Sequence, residues 1–134
     1  IYKKSEKKTQ EAARAARLLK KKAEKGESFI VVGRCAEGIF EGNPALISIF
    51  ILGNRETKCK RIMEKYHLSE QDALEKMRRH DEYRKRYHNN FCEDKWGDSR
   101  TYDICINSSL KGLDATTDIL ETYIRARRGD SDQK

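Results

Sequence analysis

The densest concentration of reactive side chains runs from Arg78 to Asp103, RRHDEYRKRYHNNFCEDKWGDSRTYD. Its first half carries a helical pattern. At about 100° per residue, Leu74, Met77, Asp81, Arg84 and His88 fall within roughly 80° of one another. An apolar stripe therefore runs straight into a carboxylate and a guanidinium. Charges on such a stripe are costly unless they are paired or met by an oppositely charged ligand. Arg78, Arg79, Lys85 and Arg86 crowd the same turns, more cations than one carboxylate can neutralise. Planar guanidinium forks suit phosphate. Taken alone, Asp81 and Arg84 read equally well as an ion pair at spacing three on a solvated helix. The local pattern leaves both readings open.

The elements that must position these residues alternate in type. Residues 6–25 are rich in Ala, Lys and Glu, strong helix formers, with Ala12, Ala13, Ala16, Leu19 and Ala23 as a narrow apolar stripe and Gly26 as the stop. Phe29–Val32 is a short β-branched apolar run, as expected of a buried strand, and Gly33-Arg34-Cys35 follows it directly. Leu46–Leu52 reads as a second buried strand after the Glu41-Gly42-Asn43-Pro44 turn. A helix is expected from Asn54, as N-cap, to about Tyr66, with Cys59, Ile62, Met63 and Tyr66 on its core face. Ser69-x-x-Asp72 forms a capping-box-like start for the arginine helix, with Leu68 and Ala73 as a staple; the helix should fray near Asn89-Asn90. Trp96 reads as a packing anchor in a polar loop. Tyr102–Ile106 is a third buried strand, Asn107-Ser108-Ser109 a turn, and residues 113–127 a closing helix with Leu113, Ile119, Leu120, Tyr123 and Ile124 inward. Three strands alternating with helices predict an α/β domain with a parallel sheet and flanking helices. In such sheets ligands bind beyond the carboxyl ends of strands, which is where Arg34 falls.

Bulk properties bound the function. One domain is expected over 1–128, followed by a disordered tail at 129–134. The net charge of +7 is uneven: residues 1–25 hold ten Lys/Arg against Glu6, Glu11 and Glu24, so the remainder is neutral. Phosphate affinity on the body must therefore come from local clustering. The Lys-rich first helix reads as a solvated face; a nucleic-acid arm is the sharper alternative, and it lacks interleaved aromatics. Cys35, Cys59, Cys92 and Cys105 form no CxxC pair and show no metal-ligand spacing, so no metal site is expected. They read as reduced thiols of a cytoplasmic protein. No apolar run reaches the ~18 residues needed to span a membrane.

Taken in order, FIVVGRC, ISIFILGNRETKCKRIM, DEYR and KWGDSRTYDICINSS resemble the cytidylate kinase-like proteins of the P-loop nucleoside monophosphate kinase group, over roughly residues 10–125. The ordered set is more specific than any one piece. The resemblance implies a P-loop NTPase-like fold and phosphoryl transfer from ATP, with Mg2+, to CMP or a related nucleoside monophosphate. It implies that Gly33, Arg34 and Cys35 bind the acceptor, with Arg34 on its phosphate, and that Arg61 assists. It further implies that Arg84, oriented by Asp81 and with Arg78 nearby, closes a lid spanning about 78–101 over the transferring group. Ser108 and Ser109 fall where the loop near the donor adenine belongs. The chemistry fits: phosphoryl transfer needs positioning and positive charge on the equatorial oxygens rather than covalent help.

The chain departs from the family pattern in two places. Cys35 stands where cytidylate kinases carry an Asp that helps read the acceptor, and a thiol is a weak acceptor. No GxxxxGK[ST] and no related Gly-rich turn is present. Because the chain opens at Ile1 inside a helical pattern, it is expected to be a fragment whose phosphate loop and first strands precede it. Its sheet would then be incomplete, to be filled by a homo-oligomer, strand exchange or the missing segment, and the fragment itself would be inactive. The competing readings are a noncatalytic phosphate-sensing relative and a basic nucleic-acid-binding module.

Overall fold

In the computed structural model, which describes residues 2–129, the chain divides into two compact units: residues 1–46 with 85–96, and residues 47–84 with 97–134. The first unit opens with α1 (Tyr2–Glu24), whose alanine- and lysine-rich composition favours a long helix. Ala12, Ala15, Ala16, Leu19 and Ala23 form its half-buried stripe. Ala13, expected in that stripe, is exposed, and Ala15 takes its place. Gly26 ends the helix with a positive φ of 72°. The helix packs against α2 (Ala36–Ile39), a single turn. The ring of Phe29 meets that of Phe40 edge-on at 6.1 Å and lies 5.8 Å beneath the Lys22 ammonium.

Phe29–Val32 is not a strand. Ile30 and Val32 are 92% and 90% exposed, and among the described residues no backbone partner pairs with this run. β-Branched residues supply propensity, but a strand is completed only by a neighbour that takes up its N–H and C=O groups. The expected three-stranded sheet is accordingly two-stranded.

The second unit holds that sheet. β1 (Ile49–Leu52) pairs in parallel with β2 (Ile104–Asn107), in the register Ile49 to Ile104 and Leu52 to Asn107. Both strands are shorter than their apolar runs, and Ile51 and Leu52 are 55% and 41% exposed rather than buried. The chain between them forms α3 (Arg55–Tyr66), α4 (Glu70–Phe91) and a 3-10 turn (Ser99–Thr101). In α3 Cys59 is buried and Ile62 and Met63 are half-buried, but Tyr66 is 44% exposed. His67 stops α3 in the left-handed conformation that terminates helices. Ser69 Oγ accepts from the Asp72 N–H at 3.2 Å, which is half of the expected capping box, and Ala73 is fully buried. The unit boundary falls within α4, a continuous helix that runs through Asn89-Asn90 to Phe91 rather than fraying there.

α5 (Gly112–Arg128) closes the chain. Leu120, Tyr123 and Ile124 are half-buried as expected, whereas Leu113 and Ile119 are 58% and 47% exposed. The expected tail lies outside the described residues from 130 onward. Among the described residues, no helix is long and apolar enough to cross a membrane.

Candidate functional site

At the start of the two strands, polar groups lock β1 to β2. Ser48 donates its N–H to Asp103 Oδ2 at 2.8 Å, and the Asp103 N–H returns to Ser48 Oγ and O at 3.0 and 2.9 Å. Arg127 of α5 reaches the same Asp103 carboxylate at 3.1 Å. Partial burial works to raise the Asp103 pKa, but the Ser48 N–H and the Arg127 guanidinium outweigh it and hold the carboxyl below its usual range. Phe50 and Tyr102 pack with ring centroids 4.9 Å apart. Gly97, at φ 79°, has room for that ring: a Cβ there would stand 3.4 Å from Phe50. Asp98 caps the 3-10 turn through the Arg100 N–H and holds the Arg100 guanidinium with both oxygens, at 3.0 and 2.7 Å.

The carboxyl ends of the strands are equally tied. Ser108 gives its N–H and hydroxyl to the Leu52 carbonyl, at 2.9 and 3.1 Å. Asn107 Nδ2 donates to Asn54 Oδ1 at 2.8 Å, so the Asn54 side chain crosses to β2 instead of capping α3. The Asn54 N–H donates to Ser109 Oγ, and the Ser109 N–H to Asn107 Oδ1. Ser108 and Ser109, selected as donor-side residues, therefore hold the strand-to-helix turns in register. Backbone groups that leave a sheet need partners, and this run of Asn and Ser supplies them.

Arg78, Arg79 and Arg84 of α4 are matched by carboxylates on their own helix. Arg78 bridges Glu75 (2.7 and 3.0 Å) and Glu82 (2.6 Å), and Arg79 approaches Glu75 at 3.5 Å. Arg84 hydrogen-bonds Asp81, which also lies 3.9 Å from Lys58. The Arg78 guanidinium chiefly, through that hydrogen bond, lowers the Glu75 pKa. These pairs are exposed, so solvent and salt screen them and they contribute little to stability. Arg61 projects from the exposed side of α3 without an ion pair among the described residues.

In the first unit, Gly33, Arg34 and Cys35 are consecutive left-handed residues, with φ 73°, 62° and 55°. The conformation is free for Gly33 but costs about 1 kcal/mol or more for each residue bearing a Cβ. Arg34 is exposed and lies over the Tyr87 ring at 5.7 Å; it makes no ion pair among the described residues. Tyr87 packs in turn on Phe91 at 5.0 Å. A guanidinium stacked on a ring keeps its in-plane N–H donors available. Trp96, the expected packing anchor, is half-buried and donates its backbone N–H to Asn89 Oδ1.

Cys35 is buried beside a group that the sequence pattern did not reveal. Its Sγ donates to the His88 carbonyl at 3.9 Å, and its thiol is in hydrogen-bonding contact with that of Cys92. Burial pushes the thiols of both Cys35 and Cys92 up from their usual range, Cys92 the further, with the Cys35 hydrogen bond adding to the effect there. His88 Nε2 stands 2.5 Å from Glu37 Oε1. His88, read only as the end of a stripe, is 4% exposed, and the cluster joins a segment at Cys35–Glu37 to one at His88–Cys92, more than fifty positions on. The one signal available in advance was the i, i+4 spacing of His88 and Cys92.

The sequence model of the cytidylate kinase-like family matches residues 2–110. The crystal structure of an uncharacterized protein from Eubacterium ventriosum is similar at 50% identity, with a TM-score of 0.82 over 86% of this chain. The chain spans 65% of that protein's length. No curated protein matches it. With more than half its residues inside the family's pattern, and an α/β arrangement of flanking helices on a parallel pair of strands, the chain belongs to the cytidylate kinase-like family.

Proposed function

We propose that this chain supplies the acceptor-binding and lid portions of a nucleoside monophosphate kinase-like phosphotransferase, which moves the terminal phosphoryl group of ATP, with Mg2+, to CMP or a related nucleoside monophosphate. The observation that carries the reading is Arg34, an exposed guanidinium held on the Tyr87 ring with no carboxylate partner among the described residues. Its donors are available to a phosphate. Gly33 and Cys35 flank it in the same turn, and the Cys35 thiol, buried against His88 and Cys92, anchors that turn and leaves no carboxylate to fix the choice of base. Arg84, held by Asp81 and joined by Arg78, acts as the lid cation over the transferring group, and Arg61 adds positive charge on the acceptor side. Ser108 and Ser109 shape the turn on the donor side.

No Gly-rich phosphate loop occurs in these 134 residues, and the related crystal structure is of a longer chain. The loop is therefore assigned to sequence beyond this stretch, and the two-stranded sheet to completion by that sequence or by strand exchange with a second copy. A noncatalytic phosphate-sensing role is the second reading; it is favoured by the carboxylates that already neutralise Arg78 and Arg84. One pair of assays separates the two. The full-length protein should convert CMP and ATP to CDP and ADP, and the 134-residue chain alone should not. In the full-length protein, Arg84→Ala should lower kcat about 10³-fold with little change in Tm. Unchanged kcat in that variant removes the lid role, and absence of transfer by the full-length protein with any nucleoside monophosphate removes the kinase reading.

A further inference from the structure

Within the first unit, Glu37, His88 and Cys92 each offer a ligand atom, and these atoms all lie within 4.8 Å of one another. The three residues come from two places in the chain. Glu37 sits on α2, while His88 lies in the last turn of α4 and Cys92 immediately follows that helix, its N–H bonded to the His88 carbonyl at 2.8 Å. A spacing of four on a helix puts two side chains side by side. Cys35 adds a second thiol next to Cys92.

The imidazole carries the second, independent observation. The His88 side chain is 6% exposed, Nε2 meets Glu37, and Nδ1 is buried with no hydrogen-bond partner among the described residues. Buried polar atoms in native structures are nearly always satisfied, and an orphan calls for an explanation such as an ion. A neutral imidazole has one lone pair to give, and an ion taken by Nδ1 leaves the Nε2–H to Glu37, the arrangement that fixes ligand histidines. Hydrogen bonds inside the cluster leave that need unmet.

We propose that His88, through Nδ1, and Cys92 hold a divalent cation of the zinc class, with the Cys35 thiol at hand as a further donor and Glu37 fixing the imidazole from Nε2. The nitrogen and sulfur donors select it: Zn2+ takes imidazole and thiolate in tetrahedral sites, whereas Mg2+ and Ca2+ require oxygen. The site is thus distinct in chemistry from the Mg2+ that travels with ATP. On binding, the Cys92 thiol releases its proton to solvent and its sulfur bonds the metal; no oxidant or reductant is needed. The cation would pin α2 to the end of α4 inside this unit, and with it the Cys35 end of the Gly33–Cys35 turn.

The test needs no phosphotransfer assay, so it stands or falls apart from the kinase reading. The reduced, metal-stripped chain is titrated with Co2+ and then with Zn2+ in competition with a chromophoric chelator. The expected result is one Co2+ per chain, a thiolate-to-cobalt charge-transfer band, tetrahedral visible bands, and displacement by Zn2+. Cys92→Ser should abolish the charge-transfer band or shift it to the weaker signature of Cys35 alone, and should weaken binding by more than about 100-fold, beyond what loss of an outer partner costs. Cys105→Ser, at an exposed thiol on β2, should change nothing. His88 is buried and its removal endangers folding, so Gly38→Ala provides the second arm. A Cβ at Gly38 would meet Cys92 Sγ at 3.0 Å, displacing the sulfur while every donor remains. Binding should weaken about tenfold or more in that variant, with the circular dichroism spectrum unchanged. Absence of a charge-transfer band in the wild-type chain, or an affinity for Co2+ unchanged in both Cys92→Ser and Gly38→Ala, overturns the proposal.

Discussion

The turns that follow the three apolar runs are built on two opposite principles. The turns after β1 and β2 satisfy their polar groups internally: Asn54, Asn107, Ser108 and Ser109 exchange hydrogen bonds with one another and with the Leu52 carbonyl. The turn at Gly33–Cys35 places two side-chain-bearing residues at positive φ, and its Arg34 makes no ion pair among the described residues. A satisfied network specifies position and leaves nothing for a ligand to gain. Strain combined with an unmatched cation persists only where surrounding structure or a bound anion compensates, and such combinations cluster at working sites. The contrast separates architecture from chemistry in residues that the sequence motifs had grouped together.

The largest expected effect tests the strained side of that comparison. Arg34→Ala in the full-length protein should raise the KM for the nucleoside monophosphate about 100-fold, the equivalent of losing roughly 2–3 kcal/mol of charge-assisted hydrogen bonding to phosphate, and should leave the melting temperature nearly unchanged. A normal KM would reduce Arg34 to a surface residue in a turn. On the satisfied side, Asn107→Ala should destabilise the chain by about 2 kcal/mol in urea unfolding, because Asn54 and the Ser109 N–H lose their partner. A change below the error of the measurement would show that the network is ornamental.

Glycine at position 34 refines the point. Arg34→Gly should lose acceptor binding as Arg34→Ala does, yet it should be the more stable of the two by about 1 kcal/mol, since only the Ala variant keeps a Cβ at φ 62°. His67→Gly, at the left-handed C-cap of α3, should gain a similar amount with activity intact. Equal stabilities for the two Arg34 variants would mean that the backbone at 34 relaxes in solution.

The smallest effect at neutral pH is electrostatic. Asp103 has a folded-state pKa below its unfolded value, so it contributes stability that is fully present above the ordinary aspartate range and is lost as pH falls through the lowered folded value. Asp103→Asn should cost about 1 kcal/mol at pH 7 and should flatten the acid limb of the stability curve below about pH 4. An acid limb of unchanged slope would assign the transition to other carboxylates.

The helices were largely legible in the sequence because periodicity and stop residues are local. Ala-rich composition and Gly26 bounded α1, and Ser69 with Asp72 marked the start of α4. The runs at 46–52 and 102–106 gave β1 and β2 to within a few residues. Phe29–Val32 misled because propensity is a property of the segment and pairing is not. The Asn54–Ser109 bonds and the Glu37–His88 contact were invisible for a related reason: each joins residues more than fifty apart, and no local pattern records which polar group meets which. Cysteine spacing argued against a metal site, and it could not foresee thiols and an imidazole brought together by two separate segments.

The parallel pairing of β1 and β2 has a kinetic consequence. Ile49 and Ile104 stand 55 residues apart, the same separation as Ser48 and Asp103. Closing a loop of that length costs about 3–4 kcal/mol of chain entropy before the first ladder bond forms. Helices α3 and α4 close on local contacts in about a microsecond, so docking of the strands is expected to come last and to set the folding rate. During that interval the Ile49–Leu52 ridge is bare, and a nascent or refolding chain depends on dilution or a chaperone until its second strand arrives.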